Sequence, residues 1–285
     1  MKTVSIIILS YNTSELLRKC LTSLFVQLRD QPFEVIVVDN ASTDDSVSMV
    51  KKDFKQVRVI ENTENVGFAK GCNRGAQDSK SEYLLFLNSD TEVLLPDILE
   101  KLTALFEDST VGIAGGLMIN PDNSYQRSFG NFYTLPHVAK MLFLGEKSEI
   151  SSQKFHSIQK TDWVSGGFMM VKKSVFDQVK GFDEGYFMYV EDVDLCYKVT
   201  KAGYSVVIDP SIQIHHIGQG SSNRTFAIVH IYKGLNRFYK LHRSSVEYLS
   251  LRVLLFLKAY LVMLFATIKG DHPLKERYKQ AITSL

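Results

Sequence analysis

The sequence is poor in cysteine, and its cysteines form no recognisable pair. Cys20, Cys72 and Cys196 are odd in number, far apart in the chain and free of any Cys-x-x-Cys spacing. Each lies in a stretch with a helical pattern, where a free cysteine acts as a small buried hydrophobic residue. This use of cysteine fits a reducing compartment.

Other absences narrow the function further. The net charge is only +2 and no basic stripe stands out, which gives no reason to expect nucleic acid as the partner. No internal repeat indicates a solenoid. The N-terminal apolar run Val4–Leu9 is too short for a signal peptide, and polar Ser10-Tyr11-Asn12 follows it without a cleavage site. We therefore expect a cytoplasmic protein.

What the chain does have is a first half in which strand and helix patterns alternate. Short apolar runs, typical of strands buried on both faces, are separated by helical patterns. This alternation predicts an α/β fold with a mostly parallel central sheet flanked by helices. The strands are predicted at Val4–Leu9, Val35–Val38, Val57–Ile60 and Tyr83–Leu87, and the helices at Ser14–Leu28, Asp44–Lys52 and Phe68–Ser79.

The second half of the chain is less regular. The pattern predicts a strand at Val111–Ile119 and another at Trp163–Lys172, the latter opened by Ser165-Gly166-Gly167. A helix is predicted from Glu191 to near Gly203, a typical C-terminal glycine. Two short strands are predicted on either side of Pro210, at Val206–Ile208 and Ile212–His216, and a polar loop at Leu144–Lys160.

Polar residues follow the predicted strands of the first half. In parallel sheets, ligands bind beyond the carboxyl ends of the strands. That rule selects four segments as the candidate site: Ser10-Tyr11-Asn12, Asp39-Asn40, the stretch from Asn65, and Asn88-Ser89-Asp90.

Asp39 and Tyr11 are candidates for holding a nucleotide base. Asp39 follows four apolar residues, so its carboxylate emerges at a strand end beside Asn40. A carboxylate there can accept the ring N–H of uracil or thymine, and Tyr11 can stack on the base. The alternative interpretation is that Asp39 caps a helix and Tyr11 is an aromatic residue on the rim.

The stretch NVGFAKGCNRG, from Asn65 to Gly75, joins small residues with two cations. Glycines let the backbone approach a ligand, and helix N-terminal amides together with Lys70 suit a diphosphate. A helix that packs closely through its glycines has the same pattern. The Gly-Lys-Ser/Thr ending of a Walker loop is missing, and no Gly-x-Gly-x-x-Gly follows the first strand, which weakens a nicotinamide dehydrogenase interpretation.

Asn88-Ser89-Asp90 is the candidate metal segment. A hard divalent cation with oxygen ligands holds a diphosphate well, and Asp90 offers one such ligand. Asn88 can add a neutral oxygen or bind through water. The metal would neutralise a leaving nucleoside diphosphate. The alternative is an ordinary turn.

Glu191-Asp192-Val193-Asp194 begins the predicted helix of the second half. The helix dipole stabilises acids there, which is the structural alternative. A carboxylate near an acceptor hydroxyl can instead take its proton as general base, and neighbouring carboxylates push one pKa upward. Further along, His215 and His216 are consecutive on a strand and point to opposite faces, so at most one of them meets a metal.

The C-terminal region changes character. A helix rich in aromatic residues is predicted at Thr225–Leu241, and Leu249–Ile268 is strongly apolar but contains Arg252 and Lys258. A charge near the middle favours a helix lying in the membrane interface over a spanning one. Neighbouring cations suit anionic lipid head groups. A core or oligomer helix with a solvated cationic face is the alternative.

Taken in this order, several segments resemble the family 2 glycosyltransferases, in particular the bacterial branch that includes rhamnosyltransferases. The likeness covers residues 1–225 and rests on VSIIILSYN, VVDNASTDDS, NVGFAKGCNRG, FLNSDTEV, SGGFMMVKKSVFDQVKGFDEGYFMYVEDVDLCYK and HHIGQGSS. It implies a GT-A fold, with a nucleotide-binding part at 1–120, an acceptor-binding part at 121–225 and C-terminal helices at 226–285. It also implies transfer of a sugar with inversion, from a dTDP- or UDP-sugar to a lipid-linked or polysaccharide acceptor.

The resemblance also implies roles for individual residues. Asp192 matches the general base, with Glu191 beside it. Asp90 matches the last acid of the family's Asp-x-Asp motif, and His215 matches the position that can complete the shell of Mn²⁺ or Mg²⁺, with His216 left open. The nucleotide-sugar set is Tyr11, Asn12, Asp39, Asn40, Asn65, Gly67, Lys70, Asn88, Ser89 and Asp90, and Gly166, Gly167 and Asp183 shape the acceptor or sugar pocket.

One position departs from the family pattern, since Asn88 stands where the first acid of Asp-x-Asp is expected. Asn is familiar there in the rhamnosyltransferase-like branch, so the departure does not indicate an inactive enzyme, although it leaves the number of direct metal ligands open. The best candidate donor is dTDP-rhamnose, and the expected location is the inner face of the cell membrane. UDP-hexoses are the alternative donors.

A sugar-1-phosphate nucleotidyltransferase is a second class of enzyme with a related sheet. It would need a Gly-rich, cationic loop after the first strand, which Ser10-Tyr11-Asn12 is not. A non-catalytic, membrane-bound assembly partner has Asn88 as its only support.

Overall fold

The computed structural model describes residues 4–144, 157–218 and 224–285. The strands are β1 Val4–Ser10, β2 Phe33–Asp39, β3 Arg58–Glu61, β4 Tyr83–Asn88, β5 Thr91–Val93, β6 Val111–Ile119, β7 Phe129–Gly130, β8 Gln159–Thr161, β9 Trp163–Val164, β10 Phe168–Lys172 and β11 Ser205–His216. The helices are α1 Ser14–Gln27, α2 Ser46–Asp53, α3 Phe68–Gln77, α4 Ile98–Ala104, α5 Leu135–Phe143, α6 Lys173–Gln178, α7 Glu191–Lys201, α8 Arg224–His242, α9 Ser245–Lys269 and α10 His272–Thr283.

The apolar runs of the first half form the parallel part of one sheet, in the order β3-β2-β1-β4. The strands β1, β2 and β4 are mostly buried, as expected of apolar runs covered on both faces, whereas the edge strand β3 has Arg58 and Glu61 exposed. Ser10 of β1 pairs with Asp39 of β2, and Leu9 pairs with Asn88 of β4. The polar residues that follow β1, β2 and β4 therefore lie at one edge of the sheet.

The second half extends the same sheet with mixed pairing. β10 is antiparallel to both β4 and β6, and β11 runs parallel to β6. The predicted α/β class with a central sheet flanked by helices is confirmed, while the strands added after β4 bring in the antiparallel pairs. Strand β5 pairs with the last residues of β11.

Two of the strand predictions differ from the structure in where the strands begin and end. The single strand expected at Trp163–Lys172 is divided into β9 and β10, because the N–H of Phe168 donates to the carbonyl of Ser165 at 3.0 Å and closes a turn. The two short strands expected around Pro210 are one strand, β11, with an irregular register between Asp209 and Gln213. A proline has no N–H to donate to the ladder, so it lies where the pairing is interrupted.

Helix α3 shows why its segment is rich in glycine. A Cβ on Gly71 would overlap the side chain of Leu9, and one on Gly75 would lie 2.6 Å from the Cγ2 of Ile7. These two glycines therefore let α3 pack closely on β1. Only Gly67, with φ of 83°, takes a left-handed conformation at the start of the helix.

The chain divides into two compact units. One comprises Met1–Asn131, Ser148–Asp183 and Asp192–Ser221 and contains the large sheet. The other comprises Phe132–Lys147, Glu184–Glu191 and Ser222–Leu285. Its helices include α8 and α9, which cover the stretches predicted as helical, and α5 and α10, which the sequence pattern did not reveal. The domain boundary at residue 225 stays a prediction.

Candidate functional site

The ends of β1 and β2 form a cross-linked pair of polar turns. The carboxylate of Asp39 is 2% exposed and accepts hydrogen bonds from the N–H and hydroxyl of Ser42, at 2.8 and 2.6 Å. The side-chain oxygen of Asn12 accepts from the N–H of Thr43 at 2.7 Å. Tyr11 directly follows β1, next to Asn12 in sequence, and is partly exposed. Asp39 thus shapes its own turn, and each of its oxygens keeps a second lone pair for a ligand.

Asn40 and Asn65 connect the end of β2 to the start of α3. The amide nitrogen of buried Asn40 donates to the Asn65 side-chain oxygen at 3.1 Å and to the carbonyl of Gly67 at 3.2 Å. The same Asn65 oxygen accepts from the N–H of Gly67 at 3.0 Å. These contacts hold the N-terminus of α3 at the ligand edge of the sheet, where Lys70 is exposed on the first turn.

The end of β4 places a carboxylate beside an imidazole. Asp90 is 6% exposed, and its Oδ1 lies 3.2 Å from the Nε2 of His216. The side-chain amide of Asn88 lies 3.3 Å from the same imidazole nitrogen. Ser89 is buried and accepts a hydrogen bond from the hydroxyl of Thr13 at 3.0 Å. Asp90, Asn88 and His216 therefore converge on one point.

The two consecutive histidines have different partners in the structure. His216 pairs with Thr91 of β5 and its ring reaches Asp90, whereas the Nε2 of His215 lies 3.4 Å from the Oδ1 of Asn123. The family resemblance points to His215 as the metal residue. In the structure the ring of His216 faces Asp90, and that of His215 lies on the opposite side of the strand. The assignment of His215 stays a prediction, with His216 as the alternative that the resemblance left open.

The donor set at Asp90 fits a divalent cation of the Mn²⁺ or Mg²⁺ type. A carboxylate oxygen and an imidazole nitrogen are ligands that such ions accept, and nucleotide phosphates complete the shell in sites with few protein ligands. Within the described ranges, no cluster of three or more His, Cys, Asp or Glu side chains offers a cage without such help.

Asp192 is the candidate general base, and the Ser165–Gly167 turn holds it. Its Oδ2 accepts from the N–H of Gly166 at 3.1 Å and its Oδ1 from its neighbour Val193 at 2.8 Å. Burial raises the pKa of the Asp192 carboxyl, although these backbone N–H donors lower it in part. A carboxylate with a raised pKa is suited to accept a proton near neutral pH.

The two glycines of the Ser165–Gly167 turn lie between Asp192, the candidate base, and the group formed by Asp90, Asn88 and His216. A Cβ on Gly166 would lie 3.0 Å from the ring of Phe68 and 3.4 Å from the Cβ of Asp192. A Cβ on Gly167 would lie 2.8 Å from the side-chain nitrogen of Asn88. The carbonyl of Gly167 also accepts the N–H of Asn88 at 3.1 Å. Small residues are therefore required here, and one short turn positions Asn88 and Asp192 together.

The remaining acids of the site have different surroundings. Asp194 is fully buried and lies 3.6 Å from the Nζ of Lys198, which makes it part of a structural ion pair. Glu191 is 5% exposed at the first position of α7. Asp183 is partly exposed and follows Phe182, whose N–H and carbonyl are both bound by the side chain of Asn73 at 2.9 Å.

Asn73 and Gln126 are site-supporting residues that the sequence did not reveal. Asn73 is in the glycine-rich helix segment, and its bonds to Phe182 span 109 residues of sequence. Gln126 lies in an irregular stretch between β6 and β7, yet its side-chain oxygen is 2.6 Å from the Nδ1 of His216. Neither residue stands in a pattern that indicates its long-range partner.

Comparisons with known proteins were made by sequence and by fold. Residues 5–180 match the model of the family described as Glycosyl transferase family 2, and residues 146–219 match one described as N-terminal domain of galactosyltransferase.

Two curated relatives are rhamnosyltransferases. The chain is 26% identical over 238 residues to the N-acetylglucosaminyl-diphospho-decaprenol L-rhamnosyltransferase of Mycobacterium tuberculosis, covering 77% of each protein. It is 26% identical over 276 residues to the dTDP-rhamnosyl transferase RfbF of Shigella flexneri, covering 93% of this chain and 88% of that protein. It is also 29% identical over 221 residues to a Sinorhizobium fredii protein described as uncharacterized protein y4gI, of which it spans 24% while 75% of this chain is covered.

The fold matches solved glycosyltransferases at low identity. The structure of GalNAc-T7 with UDP, GalNAc and Mn²⁺ aligns with a TM-score of 0.66 and 16% identity, over 99% of this chain and 54% of that one. The mannosyltransferase PcManGT from Pyrobaculum calidifontis, in complex with GDP-Man and Mn²⁺, aligns with a TM-score of 0.58 and 17% identity, over 99% and 85%. At these identities the likeness concerns the fold alone.

Proposed function

The chain belongs to glycosyl transferase family 2 and has the GT-A fold, and on this basis we propose that it transfers a sugar from a nucleoside diphosphate to an acceptor hydroxyl with inversion. The enzyme class, a glycosyltransferase, follows from the family. The best candidate donor is dTDP-rhamnose, and the best candidate acceptor is a lipid-linked or polysaccharide chain of a cell-surface glycan.

One observation carries this proposal. The Ser165–Gly167 turn binds the carboxylate of Asp192 through the N–H of Gly166 and the backbone of Asn88 through the carbonyl of Gly167. The turn therefore connects the Asp192 carboxylate, whose pKa is raised, to the place where Asp90 faces His216. Direct displacement at a sugar carbon requires such a pair, a base for the attacking hydroxyl and a charged corner for the leaving diphosphate.

The residues divide the reaction between them. Asp192 accepts the proton of the acceptor hydroxyl as that oxygen bonds to the anomeric carbon and the bond from this carbon to the diphosphate oxygen breaks. Asp90 and His216 would hold the divalent cation, which supplies positive charge opposite the departing diphosphate when it is bound. Lys70, exposed at the start of α3, adds a cation near the phosphates.

Rhamnose is proposed from the relatives. The names of the Mycobacterium and Shigella proteins specify rhamnosyl transfer, and the alignments cover more than three quarters of this chain. Asp39 and Tyr11 would hold the thymine or uracil, and Gly166, Gly167 and Asp183 would shape the sugar pocket. A UDP-hexose donor is the alternative, since the same fold serves several nucleotide sugars. A non-catalytic partner is disfavoured because both acids, Asp90 and Asp192, are present, with Asp90 facing the His216 ring.

Donor binding tests the proposed activity. We expect isothermal titration calorimetry to detect one donor from a panel of dTDP-rhamnose, UDP-glucose, UDP-galactose and UDP-N-acetylglucosamine, with Mn²⁺ or Mg²⁺ present. EDTA should weaken that binding by at least about tenfold, because the phosphates lose their counter-ion. Preference for a UDP-hexose would replace rhamnose as the donor. Lack of binding to every member, with or without an acceptor lipid, would contradict the enzyme proposal.

A membrane surface is the proposed location, on the evidence of α9. This is the one helix of the described residues that is long and apolar enough to cross a membrane, by length and composition only. Leu251, Leu255 and Ala259 on one side are fully buried and pack within the helical unit. The opposite side, here called the apolar stripe, is exposed: Val246, Leu249, Val253, Phe256, Leu257, Tyr260, Leu261, Leu264, Phe265 and Ile268.

The geometry of α9 favours a helix that lies in the membrane plane. A spanning helix would carry the packed helices α8 and α10 into the lipid, together with their many charges. Arg252 and Lys258 flank the apolar stripe, where their heads can reach lipid phosphates. Residues 224–285 contain eleven Lys and Arg against three Asp and Glu, in a chain that has 33 against 31 in total. This cationic excess suits an anionic bilayer.

Vesicle flotation tests the membrane proposal. The protein is expected to float with vesicles of phosphatidylcholine and phosphatidylglycerol and to float less with phosphatidylcholine alone. Val253→Glu combined with Tyr260→Glu should abolish flotation, because these side chains are 64% and 71% exposed on the apolar stripe. Val26→Glu is the matched control, since Val26 is 61% exposed on α1. A lipid-independent dimer that the double variant dissociates would show instead that α9 binds a second copy.

A further inference from the structure

Gln126 lies directly behind the imidazole of His216. Its Nε2 is 2.7 Å from the backbone carbonyl oxygen of His216 and 2.6 Å from the side-chain oxygen of Asn120. Its Oε1 is 2.6 Å from the Nδ1 of His216. A single side chain therefore contacts both the main chain and the ring of the residue that faces Asp90.

The orientation of the Gln126 amide is determined by its neighbours. A backbone carbonyl can only accept hydrogen bonds, so the group that faces the His216 carbonyl must be the NH₂ of Gln126. The second N–H of that NH₂ donates to Asn120. The Oε1 is left facing the Nδ1 of His216, and because an amide oxygen can only accept, the Nδ1 must carry a proton.

The hydrogen bonds of Asn120, the second partner of the Gln126 NH₂, give the same orientation for the Gln126 amide. The carboxylate of Asp122 accepts the hydroxyl proton of Ser124 at 2.6 Å. The Ser124 oxygen then accepts from the NH₂ of Asn120 at 2.8 Å, which turns the Asn120 oxygen towards Gln126. Two groups that can only accept, Asp122 and the His216 carbonyl, thus give the same orientation for Gln126.

We propose that Gln126 is a positioning residue that holds His216 in the Nδ1–H tautomer and aims its bare Nε2 at the cation beside Asp90. With Nδ1 protonated, the neutral imidazole presents a lone pair to the Asp90 oxygen 3.2 Å away. Two lone pairs at that distance repel, and a cation bound by both relieves the repulsion. The inference rests on the proposed metal-dependent function and extends it to a residue outside the sheet edge.

Gln126→Met tests this role, because it keeps the length of the side chain and removes the acceptor. In the unmodified protein, nitrogen NMR of His216 at mildly alkaline pH should show the Nδ1–H tautomer. In the variant both tautomers should be populated. Mn²⁺ affinity, measured by electron paramagnetic resonance with UDP or dTDP present, should fall by about 10- to 100-fold, which is the usual effect of losing an outer-shell partner.

Asn123→Gly is the matched control. Asn123 contacts His215 instead of His216, and its φ of 64° suits glycine, so this variant should keep the tautomer and the Mn²⁺ affinity. Circular dichroism and thermal melting check that each variant is folded. Unchanged Mn²⁺ binding in folded Gln126→Met, where His216→Ala loses it, would overturn the positioning role alone. Unchanged binding in His216→Ala as well would overturn the proposed metal site.

Discussion

Asp192→Asn is expected to lower the rate of sugar transfer by about 10² to 10⁴-fold, the usual contribution of a general base. Asparagine keeps the size of the side chain but cannot take the proton of the acceptor hydroxyl. Donor affinity should be retained, since Asp192 is bound by Gly166 and Val193 and lies on a different turn from Asp90. Single-turnover assays and calorimetry with the donor measure the two quantities separately.

Asp194→Asn is the control for this variant. Asp194 is two residues further along α7 but is fully buried beside Lys198. Its replacement should lower the melting temperature, because the partly buried Lys198 loses its charge partner, and leave the rate of the folded enzyme near that of the unmodified protein. An Asp192→Asn variant with unchanged turnover would contradict the assignment of the base.

The pH dependence of the transfer rate should also reflect the protonation of Asp192. The base must be deprotonated to act, and burial raises the pKa of Asp192 above that of an ordinary aspartate. Activity should therefore fall as the pH drops through this raised pKa, at a higher pH than a solvent-exposed Asp would give. In Asp192→Asn, the residual rate should lack this acidic limb.

His216→Ala is expected to weaken Mn²⁺ binding in the presence of the nucleotide by at least about 100-fold. Loss of an outer-shell partner already costs about 10- to 100-fold in affinity, and removal of a ligand should cost at least as much. Asp90→Asn should have a similar effect, because Asp90 is the facing carboxylate. Metal titrations followed by electron paramagnetic resonance measure both affinities.

His215→Ala is the adjacent control, and it distinguishes the two histidines directly. His215 is partly exposed and faces Asn123, so its removal should change Mn²⁺ affinity little. The reverse result, with metal binding lost in His215→Ala and kept in His216→Ala, would show that the strand register at the site differs from the one described.

Asn88 illustrates how a departure from the family motif is accommodated. Its backbone N–H is held by Gly167 and its side chain faces the His216 ring at 3.3 Å. An acid at this position would bring a second negative charge next to Asp90. In the proposed metal site, the amide would leave one carboxylate and one imidazole as the strong ligands, and the nucleotide phosphates would then be more important for binding the metal.

Much of the fold could be predicted because it depends on local pattern. The runs at β1 and β6 are mostly apolar, with no regular alternation of polar residues, and such runs indicate strands covered on both faces. The polar residues that end β1, β2 and β4 mark the ligand edge through a general rule of parallel sheets. The helix after Glu191 follows from its acidic start and its glycine stop.

Other elements could not be predicted because tertiary contacts decide them. The pattern at Gly71 and Gly75 fits both a close approach to a ligand and close helix packing, and only the position of β1 shows that they serve packing. Asp39 had both a binding and a capping interpretation, and its bonds to Ser42 add a turn-forming role without removing the first. Helix α5 lies in a stretch of the second half for which the pattern predicted no helix.

The two histidines show most clearly which properties follow from the sequence and which depend on the tertiary structure. The sequence by itself determined that His215 and His216 face opposite sides, since side chains alternate along any strand. Which of them faces Asp90 depends on the register of β11, and that register shifts between Asp209 and Gln213 and is completed by the pairing of His216 with Thr91. A shift of one residue exchanges the two faces, so only the tertiary structure, through its strand pairing, decided which imidazole faces Asp90.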